Sequence, residues 1–393
     1  MQGGGTRTEV SALHCDLPLA SSSNSQPGFS FLVRNFGAQD DHFHPAFNIL
    51  EEAIAARAFP ACSVAVTLQG KLIVHKAFGH FTYESSSPAV SSDSIFDLAS
   101  ITKVVATTAT AMILYERGVL DLEAPVSAIV PEFALGDAVR AEVTLRMLLA
   151  HSSGLPAYEK LFLQAKTREE LLHAAVATEL TFTPGARTEY SDIGFIIMGI
   201  ALERLADEAL DAFCQREVFG PFAMSHTTFN PGKALRDVIP PTADDRSFRH
   251  RIIQGEVQDE NASVLCGVAG HAGLFSTAED VALFAHGMVN GGYPILRPDT
   301  VQLFTRRESA PEGTSRALGW DTPSSPSQSG KYFGPRSFGH LGYTGTSLWI
   351  DPDRQLSITL LTNRTWPNCQ NQAIKQVRPA FHDAVVEALE NQS

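Results

Sequence analysis

Hydrophobic side chains recur at helical spacing near the start of the chain and then at strand-like spacing. Phe47, Leu50, Ile54 and Ala58 lie three or four residues apart, which predicts an amphipathic helix within residues 45–58. The stretch that follows, "CSVAVTLQGKLIVHKAFG", is apolar and β-branched on both sides of a Gln-Gly pair. It predicts two strands joined by a turn, so a helix and then a hairpin are expected here.

The far end of the chain shows the same elements in the reverse order. "TSLWIDP" and "QLSITLLTNR" predict a second apolar hairpin, and "NQAIKQVRPAFHDAVVEALE" predicts a final helix that is interrupted or kinked near Pro379. The two ends together predict one antiparallel sheet with helices on its faces. The expected fold class is therefore α/β (α+β), with an antiparallel sheet flanked by helices and a second, mainly helical lobe.

The middle of the chain has a helical pattern. "SITKVVATTATAMILYERG" is apolar or small on most faces, which predicts a buried helix that ends before Gly118. We expect a sheet lobe from residues 45–103 and 286–390 and a helical lobe from residues 104–285. Residues 1–44 are rich in Gly and Ser and are expected to form a partly disordered extension.

Charge and composition narrow the classes of partner. The net charge of −13 argues against nucleic acids and anionic membrane surfaces. No apolar run approaches the roughly 20 residues that cross a bilayer. The N-terminal stretch has no apolar signal region, so a cytoplasmic location is expected, or a periplasmic or secreted one if a leader has been removed. The cysteines form no C-x-x-C pair, and no metal site is expected.

The segment "IFDLASITKVV" places Ser100 one helical turn before Lys103. About one Ser-x-x-Lys match is expected by chance in a chain of this length, so the pair alone is weak. If Lys103 is desolvated, its pKa falls and it can accept a proton from Ser100. The alternative is a serine that caps the helix and a lysine whose charged end reaches solvent. The segment itself leaves both interpretations open.

The segment "EYSDIGF" places Tyr190 and Asp192 just before another apolar helix. A Tyr190 hydroxyl directed at Ser100 could act as a phenolate base or as a proton shuttle. Asp192 could hold Lys103 or accept a hydrogen bond from a substrate. The alternative is a tyrosine at the edge of the core, with Ser191 or Asp192 as a helix cap.

A glycine-rich turn precedes the predicted C-terminal hairpin, in "FGHLGYTGTSLWIDP". Gly342 would leave room for a ligand to lie against the backbone. His340 would face the cleft as a hydrogen-bond donor. A plain turn that leads into an edge strand is the alternative.

Taken together, the order of these motifs resembles the serine β-lactamase and penicillin-binding superfamily. The flanking sequences are most similar to class C β-lactamases and to the related esterases and D-amino-acid peptidases. The resemblance covers residues 45–390 and rests on the segments "VTLRMLLAHSSGLP", "FTPGARTEYSDIGFIIMG", "PFAMSHTTFNP", "VQDENA", "GVAGHAGLFSTAEDVALF" and "GHLGYTGTSLWIDP".

The resemblance implies a mechanism without a metal or cofactor. Ser100 would attack a carbonyl group and form an acyl-enzyme, while Lys103 and Tyr190 move the proton. The backbone N–H groups of Ser100 and Tyr343 would form the oxyanion hole. The site would lie in the cleft between a mixed α/β sheet lobe and a helical lobe.

Two departures from the family pattern bear on the substrate. Asp192 stands where many β-lactamases have Asn, and His340-Leu341-Gly342 stands where they have Lys-Thr-Gly. The weakly basic imidazole and the leucine replace groups that help to hold a substrate carboxylate. A carboxylesterase for small neutral esters is therefore predicted. The alternatives are a D-stereospecific peptidase or weak β-lactamase acting on amides, and a non-catalytic scaffold.

Overall fold

We describe the fold from a computed structural model, in which residues 32–391 are described. The predicted extension, residues 1–44, lies mostly outside these residues. The strands are β1 (Val33–Arg34), β2 (Ala61–Leu68), β3 (Lys71–Gly79), β4 (Phe96–Asp97), β5 (Thr228–Phe229), β6 (Ala243–Asp245), β7 (Arg251–Ile253), β8 (Leu274–Ser276), β9 (Phe338–Leu341), β10 (Ser347–Asp351) and β11 (Leu356–Thr362).

The described residues also form twelve α-helices. They are α1 (Gln39–His42), α2 (His44–Ala55), α3 (Ala109–Glu116), α4 (Val126–Ile129), α5 (Leu145–Leu149), α6 (Arg168–Ala177), α7 (Asp192–Ala206), α8 (Leu210–Cys214), α9 (Glu260–Val264), α10 (Ala278–Val289), α11 (Pro298–Thr305) and α12 (Ile374–Glu390). Helix α12 runs through Pro379 without interruption. None of the helices between residues 32 and 391 is long and apolar enough to cross a membrane.

Six strands form the central sheet in the order β1-β3-β2-β11-β10-β9. The hairpins β2–β3 and β10–β11 are antiparallel, and β11 pairs with β2 along its whole length. The predicted sheet built from both ends of the chain is therefore confirmed. Strand β1, however, runs parallel to β3, so the sheet is mixed and not wholly antiparallel. A strand of two residues is too short to leave a periodic pattern in the sequence.

Both faces of this sheet are covered. On β2, Val64 and Val66 belong to an apolar cluster with α2 and α12, whereas Ala61 and Ala65 belong to a larger cluster on the opposite face. Successive residues of a strand point to opposite faces, so a strand buried on both sides is apolar throughout. Helix α10 spans the predicted lobe boundary at residue 285 and packs against β2, β10 and β11.

The predicted buried helix after residue 100 is irregular in its first half. Residues Ala99–Ile101 form a 3₁₀ turn, Lys103–Thr108 form a π-helix, and regular α-helix begins with α3. Every residue of the π-helix is buried. The helix ends as predicted, because Gly118 follows it with a φ of 67°. Short π-helical segments are frequently found at functional sites.

Helix α7 approaches the loop before β8 at two glycines. Gly199 and Gly270 lie in close contact there. A Cβ atom on Gly270 would overlap the carbonyl oxygen of Phe195, which belongs to the same turn of α7 as Gly199. The carbonyl oxygen of Gly270 also accepts a hydrogen bond from Thr107 Oγ1 at 2.6 Å. The loop that carries His271 is therefore fixed against both α7 and the π-helix.

Replacing Gly270 with alanine is expected to lower the free energy of unfolding by about 1–3 kcal/mol, because the overlapping atoms belong to the backbone and cannot rotate away. The matched control is Gly232→Ala, where an added Cβ meets nothing within 4 Å. That variant should stay within about 0.5 kcal/mol of the parent protein. Urea unfolding measures both, and equal stability of the two variants would contradict this close approach.

Candidate active site

A strained turn carries Ser100. Ala99 has a φ of 47°, a left-handed conformation that costs a residue other than glycine about 1–2 kcal/mol. Asp97 holds the turn, since its Oδ1 accepts a hydrogen bond from the Ala99 N–H at 2.8 Å and its Oδ2 accepts one from the Gln258 N–H at 2.6 Å. Burial raises the pKa of Asp97 to about 6. Strain of this kind is typical of functional sites.

Lys103 is completely buried, and its ammonium group binds other groups of the protein. Its Nζ lies 2.9 Å from Ser100 Oγ, 2.6 Å from Asp192 Oδ1 and 2.9 Å from the carbonyl oxygen of His271. The alternative in which the lysine reaches solvent is therefore wrong. Burial lowers the pKa of Lys103, and the Asp192 carboxylate opposes that shift.

Tyr190 contacts Ser100 from the other side. Its hydroxyl donates to Ser100 Oγ at 2.7 Å, and Lys103 Nζ lies 4.9 Å from the centre of its ring. Burial and, secondarily, the Asp192 carboxylate raise the pKa of Tyr190 well above its ordinary value. Tyr190 is therefore a phenol near neutral pH, which favours a proton shuttle over a phenolate base.

Helix α7 begins at the site, and its N-cap residue, Ser191, lies between Tyr190 and Asp192 in the sequence. Ser191 is the N-cap, and its Oγ accepts a hydrogen bond from the Gly194 N–H at 3.0 Å. Asp192 is thereby left to pair with Lys103. The backbone N–H of Ser191 donates to His151 Nδ1 at 3.0 Å, and the His151 ring lies 4.7 Å from the Tyr190 ring. These contacts fix the backbone from which the Tyr190 and Asp192 side chains extend.

The turn after β9 is tied to the segment that carries Ser100. Thr344 Oγ1 donates to the carbonyl oxygen of Asp97 at 2.8 Å, and Thr346 Oγ1 donates to that of Leu98 at 3.0 Å. A Cβ atom on Gly342 would collide with Thr346 Oγ1 and with the carbonyl oxygen of Leu98. Position 342 therefore has to be glycine for the two segments to meet.

The two backbone groups predicted to form the oxyanion hole lie on these two segments. Within residues 32–391, neither the N–H of Ser100 nor the N–H of Tyr343 donates a hydrogen bond. The Tyr343 side chain is half exposed beside them. Both donors are therefore available to a bound molecule.

His340 differs from its predicted role. It is 2% exposed, and its Nδ1–H donates to the carbonyl oxygen of Leu341 at 2.8 Å. Burial, together with the charges of Lys103 and Arg316, lowers the pKa of His340 well below its ordinary value. A neutral ring with its proton on Nδ1 can only accept at Nε2, so His340 is a buried neutral group and not a donor in the cleft.

Arg316 is the residue at the site that sequence reasoning missed. It lies in the loop between α11 and β9, and its guanidinium carbon is 5.5 Å from the centre of the Tyr190 ring. A single arginine in a loop rich in Pro, Ser and Gly has no local pattern that distinguishes it from a solvated surface residue. Only its proximity to Tyr190 in the fold assigns it to the site.

The contact between His271 and Asp259 fixes the residue whose carbonyl oxygen binds Lys103. His271 Nε2 lies 2.9 Å from Asp259 Oδ1, and His271 is almost fully buried. This contact anchors the residue whose carbonyl oxygen accepts from Lys103. Between residues 32 and 391, no group of three or more His, Cys, Asp or Glu side chains is arranged to hold a metal ion.

Comparison with known proteins identifies the family of the chain. The family model described as Beta-lactamase matches residues 46–378. The chain is 33% identical over 355 residues to the N-acetylmuramyl-L-alanine amidase of Bacillus subtilis (strain 168), which covers 80% of this chain and 79% of that protein.

Solved structures share the fold at lower sequence identity. EstCE1, described as a hydrolase with promiscuous acyltransferase activity, has a TM-score of 0.72 and 21% identity, with 89% of this chain and 100% of that chain covered. A class C β-lactamase from Rhodobacter sphaeroides has a TM-score of 0.68 and 20% identity, with 88% and 99% covered. The resemblance inferred from the motifs is thus confirmed, and the chain belongs to the Beta-lactamase family, whose members are serine hydrolases.

Proposed function

We propose that this protein hydrolyses small carboxylic esters through an acyl-enzyme on Ser100. The observation that carries the proposal is the position of Ser100 Oγ, 2.7 Å from the Tyr190 hydroxyl and 2.9 Å from Lys103 Nζ. A nucleophile within hydrogen-bond reach of its base is the arrangement that acyl transfer requires. EstCE1, a hydrolase of the same fold, supports the choice of reaction class.

The contacts of Lys103 suit a neutral amine as well as an ammonium ion. A neutral amine has two N–H groups, which would donate to Asp192 and to the carbonyl oxygen of His271. Its lone pair would then face Ser100 and accept the hydroxyl proton as Oγ bonds to the substrate carbonyl carbon. The carbonyl oxygen takes up the negative charge beside the N–H groups of Ser100 and Tyr343.

The leaving group then departs with a proton that Lys103 returns through the Tyr190 hydroxyl. Water then attacks the acyl carbon and gives a proton to Lys103. The bond between the acyl carbon and Ser100 Oγ breaks, Lys103 returns the proton to Oγ, and the acid is released. The high pKa of Tyr190, which burial raises, suits a group that passes a proton on and does not stay ionised.

Amide cleavage is the second candidate, and two observations favour it. The amidase of Bacillus subtilis is similar along most of both chains. In addition, Arg316 places a cation beside Tyr190, which a site for neutral esters does not need. A peptide or other amide with an acidic group would use that charge.

The nucleophile can be tested directly. Ser100→Ala should lower p-nitrophenyl butyrate hydrolysis at least about 10³-fold, because no other group can form the acyl bond. The free energy of unfolding should change by only about 1 kcal/mol. A fluorophosphonate should label Ser100 in the folded parent protein, as located by peptide mass spectrometry. Ser86→Ala, at an exposed serine, is the control, and an unlabelled Ser100 would favour the non-catalytic scaffold.

The identity of the base predicts a pH dependence. Lys103 acts only when deprotonated, so kcat/KM should rise with pH through the pKa of Lys103, which burial lowers from its ordinary value. Asp192→Asn removes the carboxylate that stabilises the ammonium form, so this rise should move to lower pH by about 1 unit or more. Asp237→Asn, at an exposed carboxylate, should leave the profile unchanged. A rise that stays in place or moves to higher pH in Asp192→Asn would exclude Lys103 as the base.

Two arginines bind backbone carbonyl groups of the turn at residues 342–346, which carries the proposed oxyanion-hole donor, the N–H of Tyr343. Arg378 on α12 donates to the carbonyl oxygens of Gly342 at 2.7 Å, Gly345 at 3.1 Å and Thr346 at 2.9 Å. Arg364 donates to the carbonyl oxygen of Tyr343 at 2.7 Å. In a trans peptide the C=O and N–H groups point in opposite directions. With the Gly342 carbonyl held toward Arg378, the N–H of Tyr343 must point away from it.

Arg378→Met is expected to lower kcat for ester hydrolysis about 10- to 100-fold with little change in KM, because the donor is displaced from the charge that develops in the transition state. Circular dichroism establishes that the variant is folded, and Arg378→Lys should recover part of the lost activity. The control is Arg354→Met, which removes another arginine bound to a backbone carbonyl, that of Tyr332. An unchanged kcat in folded Arg378→Met would contradict this role.

A further inference from the structure

His151 follows helix α5 and is almost fully buried beside the site, with 1% of its surface exposed. It occupies the position after the C-cap residue Ala150, and its φ of 56° is left-handed. Glycine is the usual residue at that position, because it adopts a positive φ without strain. The corresponding position after α3 is Gly118, with a φ of 67°. A histidine in a conformation that favours glycine is held there by its tertiary contacts.

His151 binds the backbone on both sides of Tyr190. Its carbonyl oxygen accepts a hydrogen bond from the N–H of Glu189 at 2.9 Å, and its ring nitrogen Nδ1 accepts one from the N–H of Ser191 at 3.0 Å. The ring itself lies against Tyr190, with the two ring centres 4.7 Å apart. One residue therefore contacts the chain before, at and after Tyr190, and it fixes both the backbone and the ring of that tyrosine.

These contacts define the protonation state of the His151 ring. Because Nδ1 accepts a hydrogen bond, it carries a lone pair, and the proton of the neutral ring is on Nε2. Burial, followed by the charges of Arg316 and Lys103, lowers the pKa of His151 well below its ordinary value. A protonated ring would direct an N–H group at the N–H of Ser191 and lose this bond. The neutral ring is therefore the form that can hold the segment.

The hydroxyl group of Tyr190 is the part of that residue whose position matters most. It lies 2.7 Å from Ser100 Oγ. The hydroxyl is at the far end of the side chain, so a small rotation of the backbone moves it further than it moves the Cβ atom. In active sites, a displacement of about 1 Å can lower the rate about 100-fold. A residue that fixes the backbone beside Tyr190 therefore has a large influence on proton transfer at Ser100.

The other neighbours of the Tyr190 ring make a different kind of contact. Lys103 Nζ lies 4.9 Å and the His340 ring 6.0 Å from the centre of the Tyr190 ring, which are packing distances and not hydrogen bonds. Nε2 of His151 is buried and makes no hydrogen bond within residues 32–391. The bond from the Ser191 N–H is therefore the one that orients the His151 ring among these residues.

We propose that His151 is a positioning residue for the reaction at Ser100, because it binds the backbone on both sides of Tyr190 and places the tyrosine hydroxyl against the nucleophile. This inference rests on the proposed function, in which Tyr190 passes a proton to the leaving group. His151 is buried and acts through Tyr190, so it contributes to kcat and not to substrate binding.

Two substitutions separate the hydrogen bond from the packing of the ring. His151→Phe keeps an aromatic ring against Tyr190 but removes the acceptor for the N–H of Ser191. His151→Asn keeps an acceptor, since its Oδ1 is as many bonds from the backbone as Nδ1, and asparagine tolerates the left-handed conformation.

In p-nitrophenyl butyrate hydrolysis, His151→Phe should lower kcat about 10- to 100-fold, with KM within about twofold of the parent value. His151→Asn should recover part of the lost kcat. If folded His151→Phe has the kcat of the parent protein, or if His151→Asn is no more active than His151→Phe, the bond to Ser191 does not position Tyr190.

His75→Phe is the matched control. The His75 side chain is also largely buried and lies beside an aromatic ring, that of Phe36, at 5.9 Å. It belongs to β3, near the edge of the sheet opposite β9, so the substitution alters a buried histidine away from the site. Circular dichroism establishes that each variant is folded, and kcat of His75→Phe should stay within about twofold of the parent value. An equal loss of kcat in His75→Phe and His151→Phe would contradict the proposal.

A double-mutant cycle identifies the route of the effect. Tyr190→Phe removes the hydroxyl, so the exact position of that ring should no longer matter for proton transfer. Adding His151→Phe to Tyr190→Phe should therefore change kcat by no more than about twofold, although it lowers kcat about 10- to 100-fold in the parent protein. Equal losses in the two backgrounds would mean that His151 acts by a route other than Tyr190, and would overturn the proposal.

NMR of the imidazole nitrogens tests the hydrogen bond independently of activity. In isotopically labelled protein, the signals of His151 are assigned by their loss in His151→Phe. They should show a proton on Nε2 and none on Nδ1 from about pH 6 to 8. A proton on Nδ1, or a titration at the ordinary pKa of histidine, would exclude the bond from the Ser191 N–H.

The proposed function and this inference fail in different ways. If Ser100→Ala or Tyr190→Phe keeps the activity of the parent protein, the proposed mechanism is wrong and this inference falls with it. If both variants lose activity and the kcat of folded His151→Phe is unchanged, only the role of His151 is wrong.

Discussion

The buried ammonium group of Lys103 is the contact on which the rest of the site depends. Its three neighbours, Ser100, Asp192 and the carbonyl oxygen of His271, come from parts of the chain that are far apart in sequence. A buried charge without partners is strongly unfavourable. The strained turn, the start of α7 and the loop before β8 must therefore meet at one point, and the same contact that places the nucleophile joins these segments.

The irregular backbone around this lysine follows from the same requirement. Ala99 is left-handed, and Lys103–Thr108 form a π-helix where a regular helix would be less strained. Asp97 holds the first departure, because it accepts hydrogen bonds from the N–H groups of Ala99 and of the distant Gln258. The bond from Thr107 to the carbonyl oxygen of Gly270 holds the second. Such local costs persist only where the surroundings fix the conformation.

Two histidines at the site are held in the neutral form. Burial keeps the imidazoles of His151 and His340 neutral, with the charges of Lys103 and Arg316 adding to the effect. Asp192 neutralises Lys103 at 2.6 Å. The guanidinium of Arg316 lies 5.5 Å from the centre of the Tyr190 ring and 3.7 Å from the carboxylate of Asp321, so its charge is partly balanced within the protein.

The sequence by itself determined four of the six strands of the central sheet and the order of the motifs. Apolar periodicity marks β2, β3, β10 and β11, and the spacing of Ser100 and Lys103 is a property of one helical turn. Only the tertiary structure decided that Lys103 is buried, that the His340 ring is neutral and donates to Leu341, and that Arg316 reaches Tyr190. Each of these depends on contacts between residues distant in the chain, and local sequence carries no record of such contacts.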